Sequence, residues 1–225
     1  MRNVMIGTGV VGEAIFDTFA NQVQFDLAVV DSEFVGTGIW NDLPVISTDE
    51  YFKSDDLSAD SFVVAIGYTE SNSLRRKKFE VLRASGAKPL SLIHEKSHIS
   101  AKSSIEQGVV IFPQVVVENH ATVEVGTILW SNSVIGHESR VSQYCFLAAS
   151  VTVAGAAIVE EQCTLGVGAL VGNHVRIGRG SIIGAGAIVT KHVGEESVVI
   201  NPSSPILGLP PKFFDQLSGF DSLKP

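Results

Sequence analysis

The stretch that decides the fold reads LWSNSVIGHESRVSQYCFLAASVTV from Leu129 to Val153. An aliphatic residue stands at every sixth position of this stretch, and the same register runs without a gap from Ile93 to Val189. A helix with 3.6 residues per turn cannot keep a six-residue period, and a plain strand alternates every two residues. A sustained period of six predicts a parallel β-helix, in which each hexad supplies one short strand and one turn.

The pattern resembles that of the hexapeptide-repeat acyltransferases, whose β-helix is left-handed and three-sided. Three sides make a coil of about 18 residues, stacked on the next coil at the strand spacing of roughly 4.8 Å. We expect the aliphatic side chains to point inward. A small residue follows four positions later, as at Ala121 and Ser133, and we expect it to let the chain turn a corner. Cys145 and Cys163 share this position and should be buried thiols in adjacent coils, not a disulfide or a metal pair.

Composition bounds the class of protein. The chain has 225 residues, of which 45% are hydrophobic and 18% charged, and this composition argues against disorder. The net charge of −8 argues against generic nucleic-acid binding. Its opening residues, MRNVMIGTGVVGEAIF, contain glycines that interrupt any apolar run, so we expect no signal peptide, no membrane insertion and a cytoplasmic location. We divide the chain into a Rossmann-like unit at 1–92, a β-helix at 93–194 and a C-terminal extension at 195–225.

The first unit begins with a phosphate-binding pattern. A buried strand at 4–6 is followed by Gly7-Thr8-Gly9-Val10-Val11-Gly12 and a helix, which matches G-x-G-x-x-G between a strand and a helix. A second strand at 26–30 ends at Asp31, where a carboxylate could accept a hydrogen bond from a ribose hydroxyl. Taken alone, this pattern suggests a nicotinamide cofactor. An alternative is that the glycines serve only a tight turn.

Size argues against a complete dinucleotide fold. A third strand at 61–66 ends at Gly67, and a helix at 71–85 carries the basic run Arg75 to Lys78. Only one mononucleotide half therefore fits before the repeat, which suits a mononucleotide or a nucleotide diphosphate better than NAD. The basic run is either functional or a solvated helix face.

The repeat contains one histidine with a distinctive neighbour. His137 is followed directly by Glu138, and a carboxylate can hold an imidazole by Nδ1 and leave Nε2 to act as a general base. Gly155 lies one coil further on. There it leaves room for a thioester arm, and its N–H could meet a developing oxyanion. The histidine spacing predicts no metal site.

Nearly the whole chain resembles the sugar N-acyltransferases of the PglD/NeuD type, through "VMIGTGVVG", "VVDS", "LPVISTDE", "VVAIG" and the His-Glu pair within uninterrupted hexads. This resemblance implies acetyl-CoA as co-substrate and a homotrimer with active sites at subunit interfaces. It assigns His137 as general base, Glu138 as its orienting carboxylate, and Gly155 as a contact of the acyl-thioester. It also implies that Val167 and Ala185 line the pantetheine path. The nucleotide of the sugar donor would be held by Gly7, Thr8, Gly9, Asp31 and Gly67.

Some positions depart from the family pattern. Val10 and Val11 follow the first glycines, Trp130 stands where an asparagine is common, and Phe146 replaces a second histidine. The motif near the C-terminus is altered to GLPPK at 208–212. We expect Trp130 and Phe146 to reshape the pocket beside the base.

The sequence therefore predicts an acetyl-CoA-dependent N-acetyltransferase that acts on a UDP- or dTDP-linked 4-amino-4,6-dideoxy sugar. The alternatives are a sugar or sialic acid O-acetyltransferase, a non-catalytic β-helix protein that binds nucleotide sugars, and an NAD-dependent oxidoreductase fused to a β-helix.

Overall fold

The computed structural model describes residues 2–53 and 56–204, apart from the side chains of Thr69 and Ser71. The chain forms an α/β unit followed by a parallel β-helix, as the sequence predicts. The altered motif at 208–212 and most of the expected C-terminal extension lie outside the described residues. None of the helices in the described ranges has the length and apolarity needed to cross a bilayer.

The N-terminal unit is a six-stranded sheet with helices between its strands. Its elements are β1 (Arg2–Ile6), α1 (Val10–Phe19), β2 (Leu27–Val30), β3 (Ile39–Trp40), β4 (Leu43–Ser47), α2 (Thr48–Tyr51), β5 (Asp60–Val64), α3 (Ser73–Ala84) and β6 (Lys88–Pro89). Short 3₁₀ turns lie at Ser32–Phe34 and Thr69–Asn72. The predicted strand and helix ends differ from these by one or two residues, a normal uncertainty for sequence patterns.

The strand order of this sheet is β3-β4-β2-β1-β5-β6, and only the β3–β4 pair is antiparallel. The chain leaves β1 for β2 and later returns to the other side of β1 as β5. In open α/β sheets, ligands bind at such a reversal, outside the carboxyl ends of the strands. The topology therefore places a crevice between the ends of β1 and β5.

The β-helix is built from two-residue strands on three sides. Side 1 contains β7 (Leu92–Ile93), β10 (Val110–Ile111), β13 (Ile128–Leu129), β16 (Phe146–Leu147), β19 (Thr164–Leu165), β22 (Ile182–Ile183) and β24 (Val198–Val199). Side 2 contains β8 (His98–Ile99), β11 (Val116–Val117), β14 (Val134–Ile135), β17 (Thr152–Val153), β20 (Leu170–Val171) and β23 (Ile188–Val189). Side 3 contains β9 (Ser104–Ile105), β12 (Thr122–Val123), β15 (Arg140–Val141), β18 (Ile158–Val159) and β21 (Arg176–Ile177).

The predicted register of 18 residues per coil is confirmed. Ile111 pairs with Leu129, and Leu129 pairs with Leu147, all in parallel. These three side chains are 0% exposed and belong to one continuous core. The last coil is shorter, because Ile183 pairs with Val199. The sheet of side 1 thus continues past residue 194, where the sequence pattern ends.

The corners are formed differently from the expectation. From Gly108 to Gly186 every sixth residue has a left-handed backbone, with φ between +55° and +68°, and these positions include Glu138, Tyr144 and Ala156. A left-handed conformation costs about 1–2 kcal/mol for a residue with a Cβ atom, so the coil geometry imposes it. The small residue follows directly after and is buried inside the corner. Its small size therefore fits the interior, and the residue before it makes the turn.

The three sides have different surroundings. On side 1, the outward side chains of Val110, Ile128 and Phe146 are at most 5% exposed, because Met5 and Ile15 of the N-terminal unit belong to the same core cluster. Side 3 carries charged pairs, Arg140 with Glu124 and Arg176 with Glu160. Side 2 presents an outward column of Val116, Val134, Thr152, Leu170 and Ile188, of which Leu170 and Ile188 are 37% and 69% exposed.

The two cysteines lie in adjacent coils at the corner between sides 3 and 1, as their spacing predicts. Both are buried free thiols. The Cys145 Sγ donates to the carbonyl of Glu160 at 3.0 Å, and the Cys163 Sγ donates to that of Gly178 at 3.2 Å. Burial raises the pKa of the Cys145 thiol, which keeps it protonated. Both residues are part of the packed interior.

Candidate functional site

A cavity of about 510 Å³ lies at the carboxyl ends of β1, β2 and β5. All five residues that the sequence assigned to nucleotide binding line this cavity: Gly7, Thr8, Gly9, Asp31 and Gly67. The walls are largely aliphatic, and the polar groups are concentrated at the glycine loop and at Asp31. The fold therefore brings these residues together at one site.

The glycine loop has the geometry that its sequence pattern requires. Gly7 has φ +101°, and its N–H donates to the carbonyl of Val29 at 2.9 Å. A Cβ atom on Gly12 would lie 2.6 Å from the Gly7 carbonyl oxygen, so only glycine allows α1 to approach β1 this closely. Gly9 is the N-cap of α1, and the first turn of that helix therefore opens toward the cavity. Unpaired N–H groups at a helix N-terminus favour an anion.

Asp31 is held by partners that the sequence reading missed. Its Oδ1 accepts hydrogen bonds from the Lys78 ammonium and, at 3.0 Å, from the Thr48 hydroxyl. The hydrogen bond from Lys78 lowers the pKa of the Asp31 carboxyl below its ordinary value, although partial burial opposes this. The cavity is also lined by Lys78, Thr48 and the exposed ring of Phe34. The carboxylate is therefore ionised and fixed in direction, and its second oxygen carries no hydrogen bond within the described chain.

The basic run on α3 resolves into distinct roles. Lys78 pairs with Asp31 at the cavity, while Arg76 pairs with Glu80 four residues along the helix. Arg75 is buried and contacts the β-helix. The run is thus neither one solvated face nor one phosphate-binding patch.

His137 lies at the corner between sides 2 and 3, with its side chain exposed. Its backbone N–H donates to Glu118 Oε2 at 2.8 Å. The imidazole packs over Gly155, and a Cβ atom on Gly155 would lie 2.4 Å from His137 Nε2. The space above Gly155, expected to admit a thioester arm, is therefore taken by the imidazole ring itself.

Gly155 offers a free backbone donor beside that ring. At some equivalent corners a glutamate one coil below caps the N–H, as Glu118 does for His137 and Glu124 does for Gln143, whereas at others the N–H has no cap. The corresponding position below Gly155 is Gly136, which has no side chain. Within the described chain, the N–H of Gly155 has no hydrogen-bond partner.

A groove of about 520 Å³ leads along side 2 to His137. It is lined by His98, Ser100, Val116, Glu118, Asn119 and His137. Sequence reasoning missed Glu118 and Asn119, although both lie one coil before the His137 corner and the 18-residue register could have identified them. Glu138 is exposed, and among the described residues no hydrogen bond joins its carboxylate to the imidazole of His137.

The other expected acetyl-CoA residues lie at a different corner. Val167 and Ala185 are exposed and stack in adjacent coils between sides 1 and 2, where the N–H of Gly186 donates to the Val167 carbonyl at 2.8 Å. Side 2 separates them from His137. One chain therefore does not bring these residues next to the proposed base.

Trp130 and Phe146 do not flank His137, so the expectation that they reshape its pocket is wrong. Phe146 is 5% exposed and lies 5.3 Å from Tyr68 between ring centroids, and Trp130 stacks on Phe112 at 4.3 Å. Both rings belong to the core between side 1 and the N-terminal unit. The prediction was wrong because it relied on closeness to His137 along the chain. Each hexad turns the chain onto another side of the β-helix, so neighbours in sequence face different surroundings.

No protein-family model and no curated protein sequence matches the chain. Solved structures do match its fold. The α/β unit followed by a left-handed β-helix is the architecture of sugar N-acetyltransferases of the hexapeptide-repeat superfamily. Among the described residues, no cluster of three or more His, Cys, Asp or Glu side chains is placed to hold a metal ion.

Three of these structures illustrate the similarity. One is perosamine N-acetyltransferase from Caulobacter crescentus, solved with CoA and GDP-perosamine as a variant with one histidine replaced by asparagine. It has a TM-score of 0.79 and 24% identity, covering 92% of this chain and 97% of that chain. WeeI from Acinetobacter baumannii AYE has a TM-score of 0.74 and 23% identity, covering 92% and 100%. The acetyltransferase domain of PglB from Neisseria gonorrhoeae FA1090, solved with acetyl coenzyme A, has a TM-score of 0.58 and 26% identity, covering 91% and 98%.

Proposed function

We propose that this protein is an N-acetyltransferase that moves the acetyl group of acetyl-CoA to the amine of a nucleotide-linked 4-amino-4,6-dideoxy sugar. The observation that carries the proposal is that the His137 imidazole packs over Gly155, whose backbone N–H has no hydrogen-bond partner within the described chain. A base and an oxyanion donor side by side are what acyl transfer requires. The similarity to sugar N-acetyltransferases solved with CoA or acetyl-CoA supports the same chemistry.

The reaction needs no covalent enzyme intermediate. His137 takes a proton from the sugar amine, and the nitrogen attacks the thioester carbonyl carbon. The resulting oxyanion receives a hydrogen bond from the Gly155 N–H. The C–S bond then breaks, CoA leaves as a thiolate, and the proton held by His137 neutralises it. Glu138 follows His137 directly, and we keep it as a candidate to orient the imidazole in the assembled enzyme.

The nucleotide diphosphate would occupy the cavity of the N-terminal unit. Gly7, Thr8 and Gly9 present the N-terminus of α1 to the phosphates, and the free oxygen of Asp31 is suited to accept a hydrogen bond from a ribose hydroxyl. Gly67 lines the same cavity and keeps the loop after β5 close to the ligand. A nicotinamide cofactor is not required by this arrangement.

The site requires more than one copy of the chain. The N-terminal unit covers side 1, whereas His137 stands at the corner between sides 2 and 3. Val167 and Ala185 lie at yet another corner. We propose a homotrimer in which the cavity of one copy presents its sugar to the His137 of a neighbour, with pantetheine running between them past Val167 and Ala185.

The assay must also identify the base of the nucleotide. The sequence reading named UDP or dTDP, but the perosamine enzyme was solved with a GDP-linked sugar. The decisive assay measures thiol release from acetyl-CoA with UDP-, dTDP- and GDP-linked 4-amino and 3-amino sugars. We expect turnover on one amino sugar, reduced at least about 100-fold in His137→Ala by loss of the general base. Thiol release that is indifferent to His137, or absent with every amino sugar, contradicts the proposal and points to hydroxyl acceptors or to a binding protein.

A further inference from the structure

Arg75 is an ionised side chain buried at the junction of the two structural units. It projects from α3 and is 1% exposed. Its Nη2 donates to the carbonyls of Tyr144 at 2.7 Å and Cys145 at 3.0 Å, and its Nε donates to that of Gly126 at 3.3 Å. The guanidinium is therefore anchored to two successive coils of the β-helix.

Asn72 extends the same anchorage by one coil. Its side chain is fully buried, and its Oδ1 accepts a hydrogen bond from Arg75 Nη1 at 2.7 Å. Its Nδ2 donates to the carbonyl of Gln162 at 3.0 Å and to the Thr164 hydroxyl at 3.0 Å. Gly126, Tyr144 and Gln162 occupy equivalent corner positions in three stacked coils, so the Arg75–Asn72 pair follows the coil register.

The other end of Arg75 reaches the nucleotide cavity. Its Nη1 donates to the carbonyls of Ile66 at 3.4 Å and Gly67 at 3.2 Å. Both residues line the cavity just after β5. One side chain therefore joins the loop that forms the cavity wall to the body of the β-helix.

Burying the guanidinium of Arg75 costs free energy, which suggests that its position serves a purpose. No carboxylate in the described chain contacts Arg75, and burial lowers the pKa of its guanidinium to about 10, so it remains charged at neutral pH. Burying a charge without a counter-ion is unfavourable, and the carbonyl dipoles compensate for it only in a narrow range of geometry. An apolar side chain would join the two units without that restriction.

We infer that Arg75 is a positioning residue that fixes the nucleotide cavity relative to the β-helix, so that the bound amino sugar arrives in register with the acetyl donor. The inference rests on the proposed function. In the proposed trimer, the β-helices of neighbouring copies pack together, so a cavity fixed to its own β-helix is also fixed relative to the neighbour's His137. A misplacement of the amine by about 1 Å costs up to 10²-fold in rate. Arg75 acts on the reaction through the loop at Ile66 and Gly67.

The test compares Arg75→Lys with Lys77→Arg as a matched control, because Lys77 is an exposed neighbour on the same helix, whereas Arg76 also donates to Gln162 of the β-helix. Each variant is assayed with the nucleotide-linked amino sugar that the wild type uses and with the same amino sugar lacking the nucleotide. We expect Arg75→Lys to lower kcat/KM for the linked sugar by about 10- to 100-fold. The slow rate on the nucleotide-free sugar and the Kd of acetyl-CoA should stay unchanged, since neither depends on the cavity.

An equal loss on both acceptors would reveal a general folding defect and overturn the inference, as would an unchanged kcat/KM for the linked sugar. If Arg75→Lys does not fold, Asn72→Gly serves instead, because glycine accepts the φ of +65° at this position and only the side-chain anchorage is removed. A wild type that acetylates no amino sugar refutes the proposed function itself. If the wild type is active but Arg75→Lys loses activity equally on both acceptors, only the role of Arg75 is refuted.

Discussion

At the scale of single residues, the contact between His137 and Gly155 predicts how Gly155→Ala affects stability and activity. A methyl group on Gly155 would lie 2.4 Å from the Nε2 atom, but that atom is the end of a flexible side chain that can rotate away. We therefore expect Gly155→Ala to fold normally, with a Tm close to that of the wild type. Its kcat should fall by about 10- to 100-fold because the base is displaced.

A double-mutant cycle separates this effect from others. In a His137→Ala background, Gly155→Ala should cause little further loss, since the ring that it displaces is already absent. Additive losses would mean that the two residues act independently, and the assignment of His137 as the base beside Gly155 would then fail.

At the scale of elements, β1 and β5 are joined by a partly buried ionic contact, in which the carboxylate is buried and the guanidinium is half exposed. Arg2 donates to both oxygens of Asp60, at 3.0 and 2.7 Å, and the Tyr51 hydroxyl donates to Asp60 Oδ2 at 2.9 Å. Burial alone would raise the pKa of the Asp60 carboxyl, but the hydrogen bonds from Arg2 and Tyr51 outweigh it and hold the pKa below its ordinary value. Burial and the Asp60 carboxylate also raise the pKa of the Tyr51 hydroxyl.

This contact predicts a pH-dependent stability. A carboxyl whose pKa is lowered by folding stabilises the folded state above its unfolded pKa of about 3.9, and this contribution is lost as the pH falls through the folded value. Arg2→Gln should lower the free energy of unfolding by about 1–3 kcal/mol at pH 7, because a buried carboxylate loses its cation. The difference should shrink below about pH 4. Urea unfolding at pH 7 and pH 3 measures it, and a difference independent of pH would contradict the account.

Arg76→Gln is the matched control for that measurement. Arg76 pairs with Glu80 on α3 and donates to Gln162 Oε1, both at exposed positions, and exposed ion pairs contribute at most about 1 kcal/mol. Its removal should change the free energy of unfolding only slightly at either pH.

At the scale of the whole molecule, side 2 predicts self-association. Its outward column ends in the exposed aliphatic residues Leu170 and Ile188, whereas side 1 is covered by the N-terminal unit and side 3 is charged. An uncovered column of mostly aliphatic side chains is typical of an interface. Leu170→Glu combined with Ile188→Glu should convert a trimer to monomers and abolish acetyl transfer, as measured by sedimentation and thiol release.

The control for association is Val81→Glu. Val81 is 52% exposed on α3, away from side 2, so its substitution should leave both mass and activity unchanged. Active monomers in the side 2 variant would show that one chain is sufficient, and the interfacial site would have to be abandoned.

The sequence by itself determined the β-helix, its register and the residues that line the cavity of the N-terminal unit. Inward side chains such as Ile111 and Leu129 recur with the period of the coil, and the G-x-G-x-x-G pattern at Gly7 dictates a local turn. Both signals are local or periodic. For that reason the cavity residues could be named in advance and were found around one crevice.

Only the tertiary structure decided how the two units meet and what surrounds His137. Three features join residues that are far apart along the chain or on different coils. They are the burial of Arg75, the position of Phe146 at the junction of the units, and the hydrogen bond from the His137 N–H to Glu118. The same is true of the separation of Val167 from His137 by a whole side. Such contacts depend on which side of the β-helix the N-terminal unit covers, and hexad periodicity, being the same on all three sides, carries no information about that choice.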